Sequence, residues 1–296
     1  VHRAGADSYQ RIIDYFKPKF LLGMTASPER TDGYDLYNLF HHNIVYEIRL
    51  EQALAEDLLC PFHYFGISDL WIDGKEINLE EDTISFSNLS EGERVDKIIE
   101  KIRYFGHSGS RVKGLVFCSN KKEAKELSDA FNLRKFRTIS LTGDDSQAKR
   151  EDAIARLTGT GAYQGFVDDQ LDYIFTVDIF NEGVDIPEVN QVIMLRQTES
   201  PIVFIQQLGR GLRKFEDKEY VVILDFIGNY SNSYMIPLAL SGDRSYNKDT
   251  LRKYVQSGNR IIPGTSTVHF DSIAKKRIFA AIDTANLSSA KLIKEA

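Results

Sequence analysis

Short apolar runs alternate with amphipathic segments through the middle of the chain, and this alternation constrains the fold more than any other sequence feature. The apolar runs are predicted strands and the amphipathic segments are predicted helices, because their apolar residues recur at strand or helix spacing. Such alternation predicts an α/β fold, a parallel sheet with helices on both faces. The predicted elements, in chain order, are 94–105, 113–118, 121–131, 137–141, 147–157, 171–177, 191–195, 202–212 and 220–226.

The last predicted helix of this series carries a polar face. Gln206, Arg210 and Arg213 are spaced i, i+4 and i+7, so all three project from one side of the helix. Two guanidinium groups and an amide suit the oxygens of a polyphosphate. A turn with Gly183 and Asp185 follows a predicted strand, where open α/β sheets place ligands. The sequence therefore predicts a phosphate-contacting surface on a parallel-sheet domain.

Composition places the chain among ordinary globular proteins. Its 296 residues, of which 42% are hydrophobic and 27% charged, supply enough apolar material for real cores. At roughly 150 residues per domain, this length predicts about two domains. The formal net charge of −6 argues against a wholly basic nucleic-acid coat, but it allows a local basic track.

Cysteine usage and hydropathy exclude several classes of protein. Cys60 and Cys118 lie far apart and no CxxC pair occurs, which argues against a disulfide framework or a zinc site and favours a reducing cytoplasm. We predict no metal site formed by this chain alone. No apolar run reaches the ~18 residues of a membrane span and no signal peptide opens the chain, so no membrane partner is expected.

Two motifs carry a specific family resemblance. Thr176, the triplet Gly183-Val184-Asp185 and the run QQLGRGLR at 206–213 resemble motifs V and VI of superfamily 2 helicases of the DEAD/DEAH type. Either motif alone is a weak signal, but both in the right order form a strong one. The resemblance implies RecA-like lobes and an ATP-dependent motor.

The start of the chain extends the resemblance. The opening Val1-His2 resembles the end of a DExH box, and TASPER at 25–30 resembles motif III in its TATPxR form. Thr25 is thereby a candidate nucleic-acid contact, and the alternative is a strand-end turn containing Pro28. No GxxxxGK[ST] loop occurs in these residues. We therefore expect a fragment covering motifs III to VI, with ATP and Mg²⁺ bound largely by sequence upstream of Val1.

Further candidate contacts follow the predicted strands. The segment 116–120 resembles motif IV, and 141–150 resembles the strand-end TG…QxxR element of the same family. Small hydroxyl residues between a strand and a helix can offer O–H and backbone N–H groups to a phosphate. For each residue alone, a helix N-cap is the alternative. The candidate nucleic-acid contacts here are Ser119, Thr142, Gly143 and Thr176.

The predicted division of the chain has four parts. Residues 1–50 are the end of a first RecA-like lobe, with a helix over 8–16 and strands over 20–24 and 45–50; residues 51–90 are a connector, rich in aromatic and β-forming residues after Pro61. Residues 91–240 are the second RecA-like domain, and 241–296 are a helical C-terminal appendage. The series of segments LLGMTASPER, DGYDLYNLF, EIRLEQAL and LLCPFHYFGI, within 21–67, resembles the bacterial restriction-type (ResIII-like) branch, which carries additional C-terminal domains.

The resemblance also implies a role for each motif residue. In the family, ATP lies between two RecA-like lobes, and an arginine finger contributes about 10³–10⁵ in rate. The full-length parent is expected to be an ATP-hydrolysing helicase or translocase, and this fragment alone to be inactive. The implied roles are arginine finger for Arg213, γ-phosphate contact for Arg210, orientation of water or phosphate for Gln206, ribose or water positioning for Asp185 with Gly183, and nucleotide contact for Gly209.

The implied partner is nucleic acid, gripped by its backbone with a salt-dependent affinity. The restriction-type resemblance favours DNA, and Gln206 in place of the His of DEAD-box RNA helicases agrees with this. Further domains of the parent chain are possible partners as well.

Three alternatives remain open at this stage. The chain could be a nucleic-acid-binding or interaction module without catalytic activity. It could be a doubly wound sugar-nucleotide transferase, although that fold does not require the QxxGRxxR helix. Finally, Arg210 and Arg213 could form surface ion pairs with Glu216 and Asp217.

Overall fold

A computed structural model describes most of the chain. The described residues are 5–25, 36–48, 50–67, 91–159, 169–177, 186–196, 209, 211–226, 234–241, 247–257 and 265–284.

One parallel sheet dominates this part of the chain. Seven strands occur in the order β3-β4-β2-β5-β6-β1-β7, and every pairing between them is parallel. The α/β fold class with a RecA-like parallel sheet is thus confirmed. The strands are β1 (Phe62–Ile67), β2 (Gly114–Phe117), β3 (Thr138–Leu141), β4 (Tyr173–Thr176), β5 (Gln191–Met194), β6 (Val221–Phe226) and β7 (Thr267–Phe270).

Helices cover both faces of the sheet, as buried parallel strands require. One core contains apolar residues of α4 and α5, and the other contains residues of α6, α8 and α9. The helices in the described ranges are α1 (Asp7–Phe16), α2 (Leu36–Leu39), α3 (Leu50–Ala55), α4 (Glu91–Phe105), α5 (Lys121–Leu133), α6 (Gln147–Thr158), α7 (Met235–Ser241), α8 (Lys248–Ser257) and α9 (Ser272–Thr284). No helix in the described ranges has the length and apolarity to cross a bilayer.

The strand register aligns the carboxyl ends of the central strands. Leu141 pairs with Thr176, Thr176 with Phe117, Phe117 with Met194, and Met194 with Asp225. Because all the strands are parallel, the loops after β2, β3 and β4 leave the sheet from one edge. This edge positions the candidate site.

The sheet also takes in the predicted connector and the appendage. β1 lies between β6 and β7, and the backbone N–H of Phe62 donates to the Ser266 hydroxyl at 3.2 Å. The His63 Nδ1 and the Thr267 hydroxyl oxygen are 2.8 Å apart on the same strand pair. The sequence analysis did not predict β7, since TVHF is too short to show a periodicity. The four-part domain division remains a prediction.

The N-terminal segment differs from its prediction. The predicted helix over 8–16 is present as α1, but residues 20–24 and 45–48 form no strand. Phe20 and Met24 are 79% and 80% exposed. The strand predictions over 20–24 and 45–50 are therefore wrong for the described residues, because a strand needs a hydrogen-bonded neighbour and no described element pairs with these residues.

Candidate nucleotide and nucleic-acid interface

The structure describes part of the predicted nucleotide site. Gly209 and Arg213 are described, and Gly209 has helical backbone geometry. The remaining predicted residues lie outside the described ranges: Gln206, Arg210, Gly183 and Asp185. The described residues on either side of the two motifs show how the sheet anchors them.

The backbone before Arg213 is packed tightly against the sheet. A Cβ added to Gly211 would lie 2.9 Å from Val221 Cγ1 and 3.3 Å from Val192 Cγ2, so a side chain there would collide with β6 and β5. Leu212 is buried, and its carbonyl accepts a 2.7 Å hydrogen bond from the backbone N–H of Cys60. Arg213 follows directly and is exposed. An exposed arginine thus directly follows an anchored stretch of backbone.

One of the acids considered as an ion-pair partner for the motif arginines has other contacts. Asp217 Oδ2 accepts hydrogen bonds from the backbone N–H of Ser110 at 3.1 Å and from the Ser110 hydroxyl at 2.8 Å. These hydrogen bonds lower the pKa of Asp217 from its usual value. Asp217 therefore fastens the loop before β2 to the turn before β6.

The turn after the predicted Gly183–Asp185 bend is also well anchored. Ile186 and Val189 are buried in the core, and the Val189 N–H donates to the Ile186 carbonyl at 3.2 Å. The Lys218 ammonium reaches this turn and donates to the carbonyls of Pro187 and Val189. Sequence reasoning missed Lys218, because a lysine in the charged run FEDKEY reads as a solvated surface residue.

The candidate nucleic-acid contacts lie at the carboxyl edge of adjacent strands. Ser119 follows β2, Thr142 and Gly143 follow β3, and Thr176 ends β4. The backbone N–H of Cys118 donates to the Thr176 carbonyl at 2.9 Å, which ties two of these strand ends together. The structure therefore brings these sequence-predicted residues to one edge.

The loop after β2 is built as a helix N-terminus. The Asn120 side chain caps α5 by accepting a 2.9 Å hydrogen bond from the Glu123 N–H, while Glu123 Oε2 accepts from the Ser119 N–H at 2.7 Å. This arrangement is similar to a capping box, except that Glu123 binds the N–H of the residue before the N-cap. Arg94 of α4 pairs with the same Glu123. The Ser119 N–H is thus occupied, and its exposed side chain is what this residue offers to a ligand.

The loop after β3 is similarly occupied by carboxylates. Asp145 Oδ2 accepts from the backbone N–H of Thr142 at 2.7 Å, and Lys149 pairs with Asp145 at 2.5 Å. The Lys149 hydrogen bond, followed by that from Thr142, lowers the pKa of Asp145. Lys121 pairs with Asp144 across the two loops. Acidic side chains here contact N–H and ammonium groups of the type that bind a nucleic-acid phosphate.

Thr176 and Thr25 differ in burial: Thr176 is buried, and Thr25 is exposed. The Thr176 side chain is fully buried, and its hydroxyl oxygen has no hydrogen-bond partner among the described residues. In this structure its hydroxyl therefore does not reach the surface where a phosphate would lie. Thr25 is exposed, at the end of the first described segment. Gly143 is exposed as well, and its carbonyl accepts a 2.8 Å hydrogen bond from Arg150.

Asp225 is a buried acid that sequence reasoning passed over. It aligns with Met194 in the last row of the sheet, and its Oδ2 accepts a 2.7 Å hydrogen bond from the Tyr64 hydroxyl. Burial raises the pKa of Asp225 to about 7, and the Tyr64 hydrogen bond opposes that shift in part. The sequence held a signal, since a charged residue interrupts the otherwise apolar run VVILDF.

The exposed arginine of this site is suited to phosphate oxygens. Arg213 supplies an exposed guanidinium, which matches phosphate oxygens in charge and donor geometry. Across the described ranges, no cluster of three or more His, Cys, Asp or Glu side chains could hold a metal ion.

Comparisons with known proteins agree with the motifs. Residues 93–215 match the family model of the helicase conserved C-terminal domain, and residues 1–30 match that of the type III restriction enzyme res subunit. A fragment of an HsdR subunit of a type I restriction enzyme from Vibrio vulnificus has the same fold, with a TM-score of 0.56 and 24% identity, over 74% of this chain and 42% of that chain.

Two curated relatives are longer than this chain. The ATP-dependent helicase IRC3 of Saccharomyces cerevisiae is 26% identical over 254 residues, a match that covers 82% of this chain and 35% of the relative. The DNA 3'-5' translocase XPB2 of Sulfurisphaera tokodaii is 25% identical over 265 residues, which covers 75% of this chain and 56% of the relative. This chain therefore spans about a third to a half of these relatives.

Proposed function

The chain carries the C-terminal helicase domain of a superfamily 2 helicase of the restriction type, and from this premise we propose that it forms the second RecA-like lobe of an ATP-driven DNA motor. In this proposal the lobe has two tasks. It completes an ATP site shared with the rest of its parent chain, and it grips one DNA strand at the carboxyl edge of its sheet.

The observation that supports the first task is the anchoring of the backbone before Arg213. Gly211 lies against β5 and β6, and Leu212 is hydrogen-bonded to Cys60 at the start of β1. An arginine finger must be preorganised, because a group that is already in place stabilises developing charge without reorganisation during the reaction. An anchored backbone directly before an exposed arginine supports that requirement.

When bound, ATP supplies the γ-phosphoryl group that is transferred to water. Arg213, with Arg210, would then offset the negative charge that develops on the phosphoryl oxygens. Gln206 would orient the water or the phosphate, and Asp185 with Gly183 would hold the ribose or the water. Opening and closing of the two lobes would move the strand.

The second task is supported by the shared edge of β2, β3 and β4. Ser119 and Gly143 are exposed there, and Lys121 and Lys149 are paired with Asp144 and Asp145. A phosphate chain could take the place of these carboxylates on the two ammonium groups. DNA rather than RNA is proposed because the relatives include a DNA translocase and the structural match is a restriction-enzyme subunit.

The test is ATP turnover by the full-length parent with and without duplex DNA. We expect DNA to stimulate turnover, and we expect Arg213→Ala to lower kcat by about 10³-fold or more because the arginine finger is lost. Arg252→Ala is the control, since Arg252 lies on α8 and pairs with Asp249 and Asp283.

Full ATP turnover by the Arg213→Ala parent would refute the arginine-finger assignment. DNA binding without any ATP turnover by the unmodified parent would instead assign the chain to a non-catalytic binding module.

A further inference from the structure

A buried lysine joins the two segments that carry the predicted phosphate contacts. Lys218 is 6% exposed, although it lies in a charged turn on the way into β6. Its ammonium donates to the carbonyls of Pro187, of Val189 at 3.1 Å and of Gly211 at 3.0 Å. The first two acceptors belong to one loop and the third to another, so one side chain bridges them.

The chemistry of the ammonium suits this bridge. Lysine has three N–H donors and no acceptor, and three backbone carbonyls can therefore satisfy it. A buried charge is tolerated only where such partners compensate its lost hydration. Carbonyl dipoles from two loops provide that compensation, and each loop is held in place in return.

The Lys218 backbone is itself fixed. Its N–H donates to the Phe215 carbonyl at 3.1 Å, and its carbonyl accepts from the Cys60 thiol at 3.9 Å. Cys60 is the residue whose N–H also binds the Leu212 carbonyl. The lysine is therefore a fixed reference point between the two loops.

The bridged positions lie next to the predicted nucleotide contacts. Pro187 comes two residues after Asp185, and Gly211 stands between Arg210 and Arg213. Contacts to one ammonium group therefore tie the turn at 186–189 to the backbone that leads into Arg213. A misplacement of about 1 Å between catalytic groups can lower a rate by about 100-fold.

We propose that Lys218 is a positioning residue for the ATP site, which holds the turn at 186–189 and the backbone leading into Arg213 in register with each other. The proposal rests on the proposed function, since it presumes that these two segments face one nucleotide. It assigns Lys218 no contact with the nucleotide itself.

The first test substitutes the lysine in the full-length parent. Lys218→Met keeps an unbranched chain of similar length but removes the ammonium, so the two loops lose their common anchor. We expect kcat for DNA-stimulated ATP hydrolysis to fall by about 10- to 100-fold, with a much smaller change in KM for ATP and in DNA affinity. Lys214→Met is the matched control, because Lys214 lies in the same turn but forms an exposed ion pair with Asp57.

A double-mutant cycle separates positioning from general stability. If Lys218 acts through the arginine, Lys218→Met should lower kcat by less than about 2-fold once Arg213→Ala is present. A full further loss in that background would overturn the inference while leaving the arginine finger intact. Unchanged turnover by Arg213→Ala alone would instead refute the proposed function.

A second variant covers the case in which the Met variant does not fold. Lys218→Arg retains the charge but replaces three tetrahedral donors with a planar fork, so we expect a folded protein whose kcat lies between those of the wild type and Lys218→Met. Unfolding of both variants under conditions where Lys214→Met is folded would overturn the inference, because it would assign Lys218 to folding instead.

Discussion

Helices α1 and α4 have similar amphipathic sequences but opposite surroundings. Both were predicted from apolar residues at helical spacing, and both are present. In α4, Ile98 is completely buried against the sheet, whereas no residue of α1 is buried and Phe16 is 72% exposed. The periodic pattern was sufficient to specify each helix. Burial required a second surface, which the described residues supply to α4 and not to α1.

The largest expected effect comes from one pair of phenylalanines. Phe131 of α5 is fully buried among Phe136, Tyr173 and Phe175, and Phe16 of α1 is its exposed counterpart. Phe131→Ala should lower the free energy of unfolding by about 3–5 kcal/mol because it leaves a cavity. Phe16→Ala should change it by less than about 0.5 kcal/mol. Urea titration of this chain measures both.

A large effect of Phe16→Ala in that titration would mean that α1 packs against a surface in solution. Helices α1 and α4 would then both be buried, and the difference between them would disappear. In the full-length parent, a larger loss of unfolding free energy in Phe16→Ala would show that additional sequence covers α1.

A second effect should come from the acid inside the sheet. The folded-state pKa of Asp225 is raised to about 7 from a reference of 3.8, so the folded chain holds a proton that the unfolded chain releases. This contribution to stability is fully present below the unfolded-state pKa and is lost as the pH rises through the folded-state pKa. Between about pH 4 and pH 7 the free energy of unfolding should therefore fall by about 1.4 kcal/mol per pH unit relative to Asp225→Asn.

Urea titrations of wild type and Asp225→Asn at several pH values measure that difference. Equal slopes in the two proteins would contradict the prediction. Tyr64→Phe is a useful companion variant. The loss of the Tyr64 hydrogen bond should raise the pKa of Asp225, so the pH-dependent loss of stability should extend to higher pH than in the wild type.

The smallest expected effects concern the helix N-termini. Asn120 caps α5 through its side chain, whereas Ala6 at the start of α1 makes no side-chain cap. Asn120→Ala should cost about 1 kcal/mol of unfolding free energy, because it leaves the Glu123 N–H without its acceptor. Ala6→Asp should instead increase the helix content measured by circular dichroism. An unchanged stability in Asn120→Ala would show that the capping contact is replaced by water.

Much of the sheet could be predicted from local pattern. The predicted runs 113–118, 137–141, 171–177, 191–195 and 220–226 each contain an observed strand, from β2 to β6. Continuous apolar runs between turn signals are typical of strands that are buried on both faces. The predictions at 20–24 and 45–50 used the same signal and are wrong, because strand formation depends on a neighbour that a local pattern does not reveal.

The candidate site was likewise predicted only in part from the sequence. The motif spacing led to Ser119, Thr142, Gly143 and Thr176, and the parallel register does place them at one edge. The motif spacing could not show that the Thr176 hydroxyl is buried or that Asp145 accepts a hydrogen bond from the Thr142 N–H. The burial of Thr176 depends on how neighbouring elements pack around the end of β4, and the Asp145 contact depends on the conformation of the loop after β3.

By itself, the sequence determined the order of the strands and helices from α4 to β6, the starts of α5 and α6, and the family resemblance. These are local properties, since spacing and capping act within a few residues. Only the tertiary structure decided which apolar faces are covered, that Asp225 is hydrogen-bonded to Tyr64, and that Lys218 reaches carbonyls on two loops. Burial and long-range hydrogen bonds join residues that are far apart in the chain, and therefore no local pattern contains them.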